Sequence, residues 1–189
     1  MTGSIYLIVE DRSDIQIVKA ILQARNISVQ IVPLAPSGGR GGVSRLAAQI
    51  EDLIQSAIKS KKPNDCIAVL HDADNLTRPH DRADYDKIRQ ICEKYKRDVV
   101  LVIAHDTIES WLLADSGLCK WLSEKPRNWD TQAKPKDSLS SLLDRKNKGK
   151  YQGGNIAKIL AKLDGSGDNH SPSMKSAMQH LHNAPCVRT

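Results

Sequence analysis

The residues of this chain best placed to do chemistry are acidic, and two of them stand one residue apart. Cys66-Ile-Ala-Val-Leu-His-Asp-Ala-Asp-Asn75 begins as an apolar run and ends in Asp72 and Asp74. Residues i and i+2 of a strand point the same way. A strand running to its C-terminal end therefore presents both carboxylates together. Side-by-side anions repel unless a cation sits between them, and a hard divalent ion with oxygen ligands, such as magnesium, meets that need. Asp-Ala-Asp-Asn is also good turn chemistry after a strand, so the pair alone leaves a turn and a metal site both open.

Two more apolar runs end in acid. Glu10 terminates Ile5-Tyr-Leu-Ile-Val9, with Asp14 four residues on, and Asp106 and Glu109 follow Val99 to Ala104. An acid that ends a fully apolar strand is partly desolvated, which is costly without a cation or hydrogen-bond partners. Structural alternatives exist for the others. Asp14 in a first helical turn complements the helix dipole, and Asp106 and Glu109 have capping-box spacing. His71 reads as an ordinary strand histidine, because no second histidine stands at ligand spacing.

The elements that must position these acids follow from periodicity. Ile5–Val9, Val29–Leu34, Ile67–Leu70 and Val99–Ala104 read as strands, the first, third and fourth hydrophobic throughout, as strands buried on both faces should be. Between them lie helical patterns: Ile15 to about Arg25, with Ser13 as expected N-cap and Gln16 as its capping-box partner; Leu46 to Ile58; Tyr85 to Lys96; and a helix from about Thr107. Ser37-Gly-Gly-Arg-Gly-Gly42 is a glycine-rich loop ahead of the second helix. Strands alternating with helices, without a tight hairpin signal, predict an α/β fold: a mostly parallel four-stranded sheet flanked by helices. In such sheets function gathers at the carboxyl ends of the strands, where the acids stand.

Residues 1–122 make the expected core domain, and 123–189 a helical annex with too few apolar residues for a core of its own. Its expected helices are Leu139–Asp144, Ile156–Leu163 and Ser173–His182. Residues 1–120 carry 16 basic and 16 acidic side chains; residues 121–189 carry 12 against 6. The positive excess thus lies in the last third, which points to a polyanionic partner. Aromatic content of 4% with no phenylalanine argues against a base-stacking platform. Trp111 is expected in the core, with Trp121 and Trp129 packing the annex junction. No run of about 18 apolar residues is present, and no signal-peptide pattern opens the chain. Four cysteines stand singly, so neither a zinc site nor a disulfide framework is expected, and a reducing cytoplasm is the expected setting.

Glu10 with Asp14, the glycine-rich loop after the second strand, and Asp72-Ala-Asp74 after the third together resemble a TOPRIM domain. That fold is shared by topoisomerases, bacterial primases, small maturation ribonucleases and the OLD-family nucleases. The Glu-x-x-x-Asp spacing is closer to the OLD and RloB-like branch than to topoisomerases, and Ile108-Glu-Ser-Trp-Leu-Leu-Ala-Asp115 resembles the segment after the fourth strand in small stand-alone members of that branch. The resemblance covers roughly residues 4–122. Asp11 replaces the usual glycine after the first glutamate, and Asn75-Leu-Thr-Arg78 departs from the maturation-ribonuclease pattern.

The resemblance implies a magnesium- or manganese-dependent nuclease acting on DNA or RNA with one or two ions, in a two-metal scheme ~3.5–4 Å apart. Glu10, Asp14 and Asp72 are expected around one ion, with Asp74 and Glu109 nearer a second. Arg40 is expected beside the scissile phosphate, so that Glu10, Asp72, Asp74 and Arg40 form the catalytic set. Arg45 is grouped with Arg40, and Lys146, Lys148 and Lys150 are expected to track the phosphate backbone. An anti-phage setting with a separate ATPase protein is implied, and a homodimer is compatible with it. The alternative is a non-catalytic partner or regulatory subunit of an ATPase-containing complex. Nucleotidyl transfer of the primase type is a third option, disfavoured by the lack of a zinc-binding module.

Overall fold

Apolar residues at alternate positions of the same strands feed two separate cores, one on each face of a single sheet. The computed structural model describes residues 3–38, 42–73, 79–132, 134–184 and 186–187, without the side chains of 79–81. Asp74 and Arg40 lie outside the described residues. The strands are β1 (Ser4–Ile8), β2 (Gln30–Leu34), β3 (Cys66–Asp72) and β4 (Val99–Ala104). The helices are α1 (Arg12–Ala24), α2 (Val43–Ser60), α3 (Pro79–Lys94), α4 (Glu109–Ala114), α5 (Ser116–Trp121), α6 (Pro135–Arg145), α7 (Asn155–Leu160) and α8 (Pro172–Asn183).

All strand pairings are parallel, in the order β2-β1-β3-β4. On one face Ile5, Leu7, Ala68, Leu70 and Val102 pack with α1, α4 and the C-terminal helices. On the other, Ile8, Ile67, Val69 and Val99 pack with Leu46, Ile50 and Ile54 of α2 and Ile88 of α3. This division follows from right-handed crossovers. The step from β1 to β2 runs one way along the sheet and the steps to β3 and β4 run the other, so α1 lands opposite α2 and α3. Trp111 lies in the first core, 1% exposed.

Several local expectations shift. The N-cap of α1 is Asp11, not Ser13: its carboxylate accepts from the Ser13 N–H at 3.0 Å, and the capping-box acid is Asp14 rather than Gln16. Helix α3 starts at Pro79, six residues before the expected Tyr85, because proline suits a first helical position. The helix after β4 breaks at Asp115, whose side chain caps α5 through the Leu118 N–H. No side chain caps α4, whose N-cap is Ile108, so the Asp106–Glu109 spacing does not act as a capping box. Cys66 and Cys186 form a disulfide across 120 residues, Cα–Cα 5.5 Å, correcting the expectation of unpaired cysteines; Cys92 and Cys119 remain free and buried. Sequence spacing does not report a pair closed by tertiary folding. No helix among the described residues is long and apolar enough to cross a membrane.

The C-terminal third shares the first core through Leu143, Ile159, Met178 and Leu181, and a buried carboxylate clasps it there. Asp130 accepts from the hydroxyls of Ser110 (3.1 Å), Ser171 (2.9 Å) and Ser173 (2.9 Å) and from the Ser173 N–H (2.8 Å). Ser173 Oγ in turn accepts from Trp111 Nε1 at 2.7 Å. Asp130 is 4% exposed, so its removal strands three buried hydroxyls. Asp130→Ala is therefore expected to cost ~3 kcal/mol or more, a fall of roughly 6–12 °C in Tm for a chain of this size. A melting curve within a degree of wild type would show that the clasp does not hold the annex.

Candidate functional site

The strand order reverses between β1 and β3. The chain leaves β1 for β2 on one side and returns to β3 on the other. Open parallel sheets bind ligands outside the carboxyl ends of the strands at such a point. Ile8 pairs with Val69, which brings Glu10, two residues on, level with His71. Glu10 Oε1 accepts from the Asp72 N–H at 3.1 Å and lies 3.7 Å from His71 Nδ1. Asp72 Oδ1 accepts from the Ile108 N–H at 2.9 Å. Each of these two acids thus spends an oxygen on fixing backbone: Glu10 holds the end of β3, and Asp72 holds the turn into α4.

His71 is a buried histidine of β3. Its ring is buried edge-on to Tyr85, centroids 4.9 Å apart. Nδ1 stands 2.7 Å from the Asp72 carbonyl, which can only accept, so Nδ1 carries the proton. Nε2 is buried without a hydrogen-bond partner among the described residues.

Asp14 enters from the first turn of α1. Its Oδ2 accepts from the Asp11 N–H at 3.2 Å. Burial pushes its carboxyl up to about 7; the charges of Glu109, Glu10 and Asp11 act in the same direction and the Asp11 N–H opposes them. Glu109 opens α4 with its side chain 7% exposed, and the nearest cation given to it is Lys136 Nζ at 3.8 Å, on an exposed side chain of α6. The hydroxyl of Tyr151 completes the group. Burial raises its pKa, and Glu109 raises it further through charge and a hydrogen bond, with Asp14 and Asp72 adding to the effect. Glu10, Asp14, Asp72 and Glu109 therefore share one electrostatic neighbourhood, roofed by a tyrosine from the annex.

Among the described residues no group of three or more His, Cys, Asp or Glu stands close enough together to hold an ion. The donor set itself fits a hard divalent cation, since its atoms are carboxylate oxygens. Metal ligation by such carboxylates requires their deprotonated form, which burial disfavours at Asp14. Asp74, expected beside Asp72, falls outside the described residues, as does Arg40.

The expected phosphate-binding residues fare unevenly. Arg45 lies in the first turn of α2 with Nη1 buried and without a hydrogen-bond partner among the described residues. Lys146 pairs with Glu124 at 3.3 Å, and Lys148 sits over the Trp121 ring at 5.0 Å. Lys150 is exposed. The run is thus partly engaged in holding its own loop, and what it places at the acids is its neighbour Tyr151. Sequence reasoning passed over Tyr151 and Lys136; adjacency to the basic run was the one available signal for the tyrosine. Family models, curated proteins and solved structures gave no match to this chain.

An acid whose pKa is higher in the folded than in the unfolded state lends less stability as pH rises between the two values. For Asp14 that window runs from the ordinary 3.8 to about 7. In EDTA, the Tm of wild type should therefore fall relative to Asp14→Asn across this range, and a gap that stays constant in a buffer series would sink the assignment.

Proposed function

We propose that this chain is a TOPRIM-type nuclease that cleaves phosphodiester bonds with the help of magnesium or manganese. The observation that supports it is the gathering of Glu10, Asp14, Asp72 and Glu109 around the reversal point of a parallel sheet. Glu10, Asp14, Asp72 and Glu109, joined by Asp74, would hold the metal. When bound, one or two such ions lower the pKa of an attacking water and stabilise the leaving oxygen. The chain's own part is to hold the oxygens. Backbone N–H groups fix one oxygen each of Glu10 and Asp72, and Tyr151 stands in the electrostatic neighbourhood of Glu109. Arg40 and Arg45 serve as phosphate contacts, and the basic annex draws the nucleic acid in. In this reading the nuclease works in anti-phage defence beside a separate ATPase protein.

A second reading is a non-catalytic subunit of an ATPase-containing complex. It is favoured by the backbone duties of Glu10 and Asp72, which give both acids a structural reason to exist.

The discriminating test assays DNA and RNA, tRNA included, with magnesium, manganese or EDTA, alone and with an ATPase encoded nearby. The isosteric variants Glu10→Gln and Asp72→Asn keep the backbone bonds and lose the charge. Both are expected to lose at least ~100-fold in cleavage rate, and magnesium should raise the Tm of wild type but not of Asp14→Asn. Cleavage by Asp72→Asn at the wild-type rate would rule out the metal-nuclease reading. Absence of cleavage in every condition, with or without the ATPase, would favour the subunit.

A further inference from the structure

A cleft of about 640 Å³ lies away from the acids, between the end of α5, the segment 124–129 and one side of α6. That volume falls within the ~300–1,000 Å³ of small-molecule sites. Its floor is apolar, made by Leu122, Trp129 and Leu142, which are 7% exposed or less. Its rim carries four exposed cations, Lys125, Arg127, Lys134 and Arg145. None of the four forms an ion pair among the described residues. Two acids also line it, but Glu124 is paired with Lys146 at 3.3 Å, so Asp137 is the single anion left to answer four cations.

The arrangement of the rim is specific. The Arg127 guanidinium lies over the Trp129 ring, 4.2 Å from its centre. A guanidinium over an indole can offer its outer face to a further planar ring, as nucleobases stack on arginine planes. Lys125, Lys134 and Arg145 remain to neutralise a phosphate. Asp137, Ser138 and Ser141 of α6 supply an acceptor and two hydroxyls for a base edge. Cys119 also lines the cleft, but burial pushes its thiol up to about 11, and it donates to the Leu113 carbonyl at 3.1 Å. The cleft is thus built to bind rather than to attack. Lys136, on the same helix as Asp137, reaches towards Glu109 instead, so α6 separates the cleft from the acidic site.

We infer that this cleft is a nucleotide-binding site, with the base stacked on Arg127 and the phosphate held by Lys125, Lys134 and Arg145. The ligand chemistry is a purine or pyrimidine nucleotide, either free or as one unit of a single strand. The inference stands apart from the nuclease reading, because no residue of the cleft belongs to the acidic group.

The test is calorimetry with tryptophan fluorescence on the full chain in EDTA, using adenosine monophosphate, inorganic phosphate, a five-nucleotide single strand and an acidic peptide. The mononucleotide is expected to bind one to one, with phosphate at least ~10-fold weaker. Arg127→Ala and Arg145→Glu, both at exposed positions, should each weaken the nucleotide ~10-fold or more at an unchanged Tm. Glu10→Gln should bind it as wild type does, which separates the cleft from the acids. Tighter binding of the strand would assign the site to a chain of nucleotides; equal or weaker binding would assign it to a free one. Phosphate binding as well as the nucleotide, an unmoved Arg127→Ala, preference for the acidic peptide, or no binding at all would each overturn the inference.

Discussion

Desolvation of carboxylates is the constraint on which the rest of this structure depends, and the chain meets it in two different ways. Asp130 is surrounded by serine hydroxyls and a backbone N–H. Asp65 accepts from the N–H groups of Lys62 and Ser4 at 2.8 and 2.7 Å, which holds its carboxyl below the ordinary range. Asp115 takes three backbone N–H groups, from Leu118, Asp164 and Gly165. These acids are stitches, because donors replace the water they lose. Asp14 has one backbone N–H at 3.2 Å and a long contact with the Ser13 hydroxyl, while Glu109 and Glu10 press on it. Burial raises the Asp115 carboxyl as well, but Asp14 has a single backbone donor against Asp115's three.

The stitches decide what the annex can do. Asp115 binds the loop at 164–165, and Arg25 at the end of α1 reaches the same loop through the Gly165 carbonyl at 2.8 Å and Asp168 at 2.8 Å. The approach is close enough that a Cβ on Gly117 would meet the Lys162 carbonyl at 2.5 Å. Asp130 fastens α8 beside Trp111 in the same manner. With both ends of the annex fixed, the segment between them has little freedom, and Tyr151 is delivered against Glu109. The third that carries the basic excess is therefore also the third that finishes the acidic site.

How much of this was legible depends on the range of the forces involved. β3 and β4 were readable because burial on both faces leaves an uninterrupted apolar run, and the acids closing those runs stood out for the same reason. The cap of α1 was misplaced because Asp11 and Ser13 are both good caps, and the choice fell to the geometry of the strand exit. Asp130 sits in a stretch that reads as polar loop, and its serines lie 20 to 43 residues away. The Cys66–Cys186 pair and the tyrosine beside Glu109 are likewise products of packing at long separation. Local pattern encoded the sheet and where its chemistry stands. The clasps and the roof of the site came only with the fold.

The distribution of positive charge completes the physical picture. In the proposed nuclease, an acidic site facing a polyanion would repel it, and bound metal ions would offset that repulsion only at short range, since salt screens charge beyond about 10 Å. The attraction that brings a phosphate backbone to the surface has to come from elsewhere, as a field summed over many side chains. Residues 121–189 supply it with twice as many cations as anions. Lys146 and Lys148 are partly committed to Glu124 and Trp121, whereas Lys125, Arg127, Lys134 and Arg145 are not paired among the described residues. A cluster of positive charge without ion pairs among the described residues thus lies on the far side of α6 from Glu109. A strand attracted to that side would cross the N-terminal end of α6, past Lys136, to reach Glu109. In the proposed nuclease, helix α6 would bridge the place where charge gathers the polymer and the place where carboxylates meet it.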